Sequence, residues 1–64
     1  MRYIVLQRKR FRVEDVIVML KLLGVNGIDS SCSDSDIIDN INKLSGKQKI
    51  EFNAFLSDYG EELT

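Results

Sequence analysis

The sequence has no histidine, no proline and no tryptophan, and it has a single cysteine, Cys32. Histidine is the commonest general base in enzymes and the usual activator of a cysteine nucleophile, so the groups that most hydrolases use are missing. The sequence contains no glycine-rich phosphate loop and no Cys/His spacing typical of a metal site. We therefore expect a protein that is not an enzyme and that uses no cofactor or metal, with Cys32 as an ordinary loop thiol.

Long apolar runs are also missing. The longest, Val16–Leu20, has five residues, whereas a helix that crosses a bilayer needs about 20. No signal peptide is recognisable, and one cysteine cannot form an internal disulfide. These features predict a cytoplasmic protein in a reducing compartment, with no membrane partner.

The chain has 64 residues, of which 44% are apolar, a composition typical of a globular domain near the lower size limit for a stable core. We interpret residues 1–64 as one domain, with a basic strand or arm at 1–12 and a helical body at 13–64. Because domains of this size are often only marginally stable alone, a homodimer is one alternative for the assembled state.

Charge is distributed unevenly, although the net charge is only −1. Residues 1–12 contain five basic residues and no acid, whereas residues 13–64 contain four lysines and ten acids, which gives +5 against −6. Within the basic part, the β-branched and aromatic run Tyr3–Leu6 favours a short strand. This segment either neutralises the acidic body of its own chain or contacts a partner.

The basic arm also suggests an alternative function in nucleic-acid binding. Its cations would contact phosphates while Phe11 stacks on a base; the cations concerned are Arg8, Lys9, Arg10 and Arg12. The competing interpretation is that Tyr3, Val5 and Phe11 pack inward while the arginines stay in water. Because the acidic remainder of the chain would repel a phosphate backbone, we rank nucleic acid below protein as a partner.

The segment Val13–Leu23 has the clearest helical periodicity. Apolar residues three and four positions apart define a core face, formed by Val13, Val16, Ile17, Leu20 and Leu23. Val18 and Leu22, one turn apart, project from the opposite side, so this helix is apolar on two sides. Either the N-terminal strand covers the second side, or a partner or second copy binds there. Val18, Leu22 and Phe11 are our candidate partner-binding residues.

Two more helices are predicted further along the chain. The aspartates around Ser33 lack the spacing of a calcium loop, so we interpret Ser33 as the N-cap of a helix over Asp34–Leu44. Gly46 would end that helix in a left-handed conformation, with a turn at 47–49. A third helix then starts at Ile50. Its apolar residues at helical spacing are Phe52, Phe55, Leu56, Tyr59 and Leu63, and we expect Glu61, Glu62 and Thr64 to be frayed.

Three segments resemble part of a calmodulin-like EF-hand lobe, namely VEDVIVMLKLLG, SDSDIIDNINKL and KIEFNAFLSDY. In that family a leucine-glycine pair ends an exit helix, here Leu23 and Gly24, and the next helix opens with a capped acidic turn, here at Ser33. The loop of the family ends in an isoleucine, an acid and a phenylalanine, which correspond to Ile50–Phe52.

The calcium ligands of that family are missing from this chain. Ser45, Lys47 and Lys49 stand where the family has acidic ligands, and Ala54 stands where it has the terminal glutamate. The loop is also shorter, and the first incoming helix is absent. The resemblance therefore implies a module that binds no calcium and holds a partner helix in an apolar groove.

These observations predict a mainly α fold, a small three-helix domain with a short N-terminal β-strand or arm. The predicted function is that of a small non-catalytic module that binds and regulates a larger protein. The alternative is a small nucleic-acid-binding regulator that uses the basic N-terminal arm.

Overall fold

The computed structural model describes residues 2–63. In chain order these residues form β1 (Tyr3–Leu6), β2 (Lys9–Arg12), α1 (Val13–Leu22), α2 (Asp34–Asn42), α3 (Gly46–Asp58) and β3 (Glu61–Glu62). The strands make one antiparallel sheet in the order β1-β2-β3. The prediction of a mainly α, three-helix domain with a single N-terminal strand or arm is therefore wrong. The described chain is a small mixed α/β fold in which the sheet joins its first and last segments.

The basic N-terminal segment is a β-hairpin. Gln7 and Arg8 form its turn, and both have positive φ angles of 50° and 65°, as in a type I′ turn, whose twist matches that of the flanking strands. Such turns usually contain asparagine or glycine, because other residues pay a steric cost there. The Gln-Arg pair therefore gives no turn signal, and the sequence pattern does not predict the second strand.

The hairpin directs one buried side chain from each strand into the core, and the partly buried Leu6 packs against the core. Ile4 and Phe11 face each other across the two strands, and they are 4% and 3% exposed. Tyr3 and Val5 lie on the opposite, exposed face. The inward packing considered for this segment is thus correct for Phe11 and wrong for Tyr3 and Val5. Because side chains alternate along a strand, Ile4 points into the core and its two neighbours point away from it.

The first two predicted helices are confirmed, with small differences at their ends. The helix predicted over Val13–Leu23 ends at Leu22. The Ser33 hydroxyl accepts a hydrogen bond from the Asp36 backbone N–H at 3.2 Å, as expected of an N-cap. The second helix ends at Asn42, a short way before the predicted end.

The third helix starts earlier than predicted. Ser45 and Gln48 form a reciprocal capping box: the Ser45 hydroxyl accepts from the Gln48 N–H at 3.3 Å, and the Gln48 side-chain oxygen accepts from the Ser45 N–H at 2.8 Å. Gly46 is therefore the first residue of α3 and not a left-handed terminator of α2. The predicted turn at 47–49 and the predicted start at Ile50 are wrong for the same reason.

The core lies between the inner face of the sheet and the three helices. Helix α1 contributes most to it, since four of the five residues of its predicted core face are buried, and the fifth, Leu23, is the C-cap and is partly buried. The buried apolar side chains are Ile4, Phe11, Val13, Val16, Ile17, Leu20, Ile28, Ile37, Leu44, Phe52 and Leu56. Burial of this apolar set is the main favourable term in the stability of the fold.

The C-terminal segment returns to the sheet. Glu61 lies opposite Arg10 and Glu62 lies opposite Lys9 in the pairing of β3 with β2. The prediction that Glu61 and Glu62 are frayed is therefore wrong, because both residues pair with β2 through their main chain and the Glu61 carboxylate forms an ion pair with Arg10. The same prediction for Thr64 lies outside the described residues. Within residues 2–63, none of the helices is long and apolar enough to cross a membrane.

Candidate functional site: an apolar groove beside helix α1

Helix α1 exposes the second apolar side that its sequence predicts. Val18 is 57% exposed and Leu22 is 77% exposed. Val18 and Leu22 lie one turn apart and share a face of the helix, because residues four apart lie on the same side. This face is nearly opposite the one that contains the buried residues Val16 and Leu20. The N-terminal hairpin packs beside α1 without covering this side, so it remains open to solvent.

A row of aromatic rings lies next to this exposed side. The Phe55 ring from α3 is 5.6 Å from the Phe11 ring of β2, 5.8 Å from the Phe52 ring and 5.4 Å from the Tyr59 ring, measured between centroids. All three pairs are tilted, a geometry that favours contact between aromatic quadrupoles. Burial decreases along the row, from Phe52 in the core to Tyr59, which is 63% exposed.

The space between α1 and the end of α3 is a groove of about 460 Å³, within the size range of ligand pockets. Its lining residues come from β2, α1 and the C-terminal part of the chain: Phe11, Asp15, Val18, Met19, Leu22, Phe55, Tyr59 and Gly60. Among these residues, Asp15 is the one that carries a charge. We call this space the α1/α3 groove.

Gly60 lines the α1/α3 groove beside the Phe11 ring. Its φ angle is +94°, and a Cβ atom at this position would lie 2.5 Å from two atoms of the Phe11 ring. The backbone can follow this path because glycine has no side chain. The chain therefore passes directly over the buried ring before it joins β2 as β3.

The α1/α3 groove brings together all three residues predicted to bind a partner. Val18 and Leu22 form its rim, whereas Phe11 forms part of its floor. Phe55 and Tyr59 also line the groove, although they are not among the candidate partner-binding residues predicted from the sequence. The spacing of four residues between Phe55 and Tyr59 does indicate that the two side chains lie on the same side of a helix.

The basic residues proposed for nucleic-acid binding are mostly engaged within the chain. Lys9 donates from Nζ to the Leu56 carbonyl at 3.2 Å and to the Ser57 carbonyl at 2.9 Å. Arg12 lies 3.8 Å from a Glu14 carboxylate oxygen. These contacts direct two of the proposed phosphate-binding groups toward the protein itself.

Arg10 has the most extensive contacts of the basic residues. Its guanidinium donates to a Glu61 carboxylate oxygen at 2.6 Å and lies 4.7 Å from the centre of the Tyr3 ring. The hydrogen bond and the charge of Glu61 raise the pKa of Arg10 above its ordinary value. Arg8 differs from Arg10, since its exposed guanidinium at the hairpin turn makes no hydrogen bond or ion pair to residues 2–63.

The acidic loop before α2 has a structural explanation. The Asp29 carboxylate accepts from the Ser31 backbone N–H at 2.8 Å and from the Ser31 hydroxyl, and these bonds lower the pKa of Asp29. Over the described range 2–63, no group of three or more Cys, Asp or Glu side chains is arranged to hold a metal ion.

Comparisons with known proteins give no relative: no family model matches the chain, and no curated protein or solved structure matches it. The function therefore has to be inferred from the residues of this chain.

Proposed function

We propose that this protein is a small non-catalytic interaction module that binds and regulates a larger protein through the α1/α3 groove. The observation that carries the proposal is the combination of an exposed apolar rim with an aromatic floor. Val18, Leu22 and Tyr59 are each more than half exposed, and they surround one concave surface. Exposed apolar residues scattered singly are ordinary, whereas a contiguous concave cluster is typical of an interaction site.

The energetics of such a surface favour an apolar anchor from the partner. Interfaces depend mainly on a few large side chains that fill pockets away from water, and aromatic residues are enriched among them. An apolar segment seated in the groove would cover Leu22 and Tyr59 and contact Phe55. The resemblance of the sequence to an EF-hand lobe implies the same mode of binding, in which an apolar groove holds a helix of the partner.

The test is a tagged pull-down with and without nuclease, followed by affinity measurement with the purified partner. We expect Leu22→Glu to weaken binding by about tenfold or more, because it places a charge in the apolar contact. The matched control is Ile50→Glu, at an apolar residue that is 72% exposed and does not line the groove. We expect this control to bind as the unmodified protein does.

Circular dichroism of both variants separates binding from folding. Equal helical signals for the two variants, with binding lost in Leu22→Glu alone, would support the proposal. Unfolding of Leu22→Glu would show that Leu22 is needed for the core. Equal binding by the two variants would show that the partner uses another surface.

The second candidate function is nucleic-acid binding, and the exposed guanidinium of Arg8 is the observation that favours it. It ranks lower because Lys9, Arg10 and Arg12 contact carbonyl or carboxylate oxygens of their own chain. The nuclease arm of the pull-down tests it directly. Capture that nuclease abolishes would favour the basic hairpin over the groove as the functional surface.

A further inference from the structure

Strand β1 leaves one edge of the sheet without a neighbour. The order β1-β2-β3 places β1 at the margin, and among residues 2–63 no backbone bond from another segment reaches its outer side. The register shows which groups face outward. Leu6 pairs with Lys9 across the tight turn, Ile4 pairs with Phe11, and the Val13 N–H donates to the Arg2 carbonyl at 3.0 Å.

In an antiparallel pair, hydrogen-bonded and non-hydrogen-bonded positions alternate. Since Arg2, Ile4 and Leu6 direct their main-chain groups toward the second strand, Tyr3 and Val5 direct their N–H and C=O groups away from it. The side chains of Tyr3 and Val5 are also 43% and 55% exposed. The same two residues therefore present main-chain donors, main-chain acceptors and apolar surface at one edge, which is the usual template for adding a strand.

We propose that the occupant of this edge is a second copy of the chain, paired through antiparallel β1 strands about a twofold axis at Ile4. In this register, Tyr3 of each copy faces Val5 of the other, and each facing pair exchanges two main-chain hydrogen bonds. Aromatic and β-branched side chains then lie directly opposite each other, which stabilises a strand pair. The three strands of each copy would form one continuous sheet.

The arrangement of charges favours a second copy over an acidic peptide. In the proposed register Arg2 faces Leu6 of the other copy, so no two cations are directly opposed. Arg2 already lies 3.3 Å from Asp34, and Arg10 lies 2.6 Å from Glu61. An acidic strand from another protein would therefore find these arginines occupied, whereas two copies would meet with Arg2 and Arg10 already paired within their own chain.

The dimer does not depend on the proposed function of the groove. The groove residues lie on α1, β2 and the C-terminal part of the chain, whereas the proposed contact lies on β1. A dimer formed in this way would leave both grooves accessible and would present two of them in one assembly. A partner with two binding sites would then bind the dimer more tightly than one chain, because its second site would bind at a high effective concentration.

The experiment is sedimentation equilibrium of the full chain over a concentration series, with three variants. We expect the unmodified chain to form dimers and Val5→Lys to remain monomeric, because an edge lysine blocks strand addition. Val5→Pro removes the outward N–H without touching the bonds to β2, and we expect it to be monomeric as well. The matched control is Val18→Lys, at a residue of similar exposure that lines the groove, and it should dimerise normally.

A mixed sample of isotope-labelled and unlabelled chains tests the register. In the proposed pairing the Ile4 Hα atoms of the two copies face each other, because Ile4 occupies a non-hydrogen-bonded position. An intermolecular nuclear Overhauser effect between them would support the proposal. A chain that is monomeric at millimolar concentration would overturn it, as would a dimer that Val18→Lys abolishes and Val5→Lys leaves intact. Circular dichroism of each variant confirms that the fold is retained.

Discussion

At Gly60 the backbone passes so close to the Phe11 ring that no side chain fits between them. The residue combines a φ angle of +94° with a clash of any Cβ atom against the ring at 2.5 Å. We expect Gly60→Ala to lower the free energy of unfolding by about 2–4 kcal/mol, from left-handed strain and overpacking together. Urea denaturation followed by circular dichroism measures this change.

Gly27 provides the matched control for this substitution. Its φ angle is +76°, but a Cβ atom there would meet nothing within 4 Å. Gly27→Ala therefore introduces only the left-handed strain, which costs about 1–2 kcal/mol. Equal losses for the two variants would show that the chain around Gly60 relaxes away from Phe11, and that the contact between them is not rigid.

At the scale of single elements, the hairpin depends on a turn built from unusual residues. Arg8 adopts a φ angle of 65°, although glycine is preferred there. We expect Arg8→Gly to raise the free energy of unfolding by about 0.5–1 kcal/mol through relief of that strain. The measurement is the midpoint of urea denaturation.

The control for the hairpin prediction is Arg8→Ala, which removes the same charge but keeps a Cβ atom. We expect little change in its denaturation midpoint. If Arg8→Ala stabilised the protein as much as Arg8→Gly does, the cause would be relief of charge repulsion within the basic hairpin, and the strain interpretation would fail.

The elements differ in how far their sequences predict them. Helix α1 is predictable because its apolar residues repeat with the helical period over the whole segment. The predicted start of α3 is wrong because a glycine such as Gly46 is typical of a helix terminus, whereas Ser45 and Gln48 form a capping box across it. The capping-box pattern of a serine followed three residues later by a glutamine is visible in the sequence. It outweighs the weaker tendency of glycine to end a helix. The hairpin, in contrast, has no turn signal at Gln7 and Arg8.

At the scale of the whole molecule, Lys9 connects the sheet to the last helix. Its ammonium group donates to the carbonyls of Leu56 and Ser57 at 3.2 and 2.9 Å, near the negative end of α3. We expect Lys9→Met to lower the free energy of unfolding by about 1–2 kcal/mol, because these carbonyls lose a charged donor. Thermal denaturation at fixed protein concentration measures the effect.

Lys49→Met is the control for this variant, since it removes the same charge from an exposed position on α3. We expect its unfolding temperature to change little. A loss of similar size in both variants would indicate a general effect of net charge, and the contact between the sheet and the helix would not explain the result.

In the folded molecule, arginines of the basic N-terminal segment form ion pairs with acidic residues of the rest of the chain. Arg2 contacts Asp34, Arg10 contacts Glu61 and Arg12 contacts Glu14. Exposed ion pairs of this kind contribute little stability individually. They do reduce the positive field of the hairpin, which makes it a poorer surface for phosphates and a better one for a second copy of the chain.

Local patterns were enough to place α1, its buried face and its second apolar side, because helical periodicity depends only on the spacing of residues along the chain. They also located Ser33 as an N-cap, since capping involves neighbours in sequence. The groove could not be predicted in this way. Its floor requires Phe11 and Phe55 to meet from distant segments, and its exposure depends on where the hairpin packs. The mixed α/β fold likewise depends on tertiary contact, because β3 exists only through its pairing with the basic strand β2.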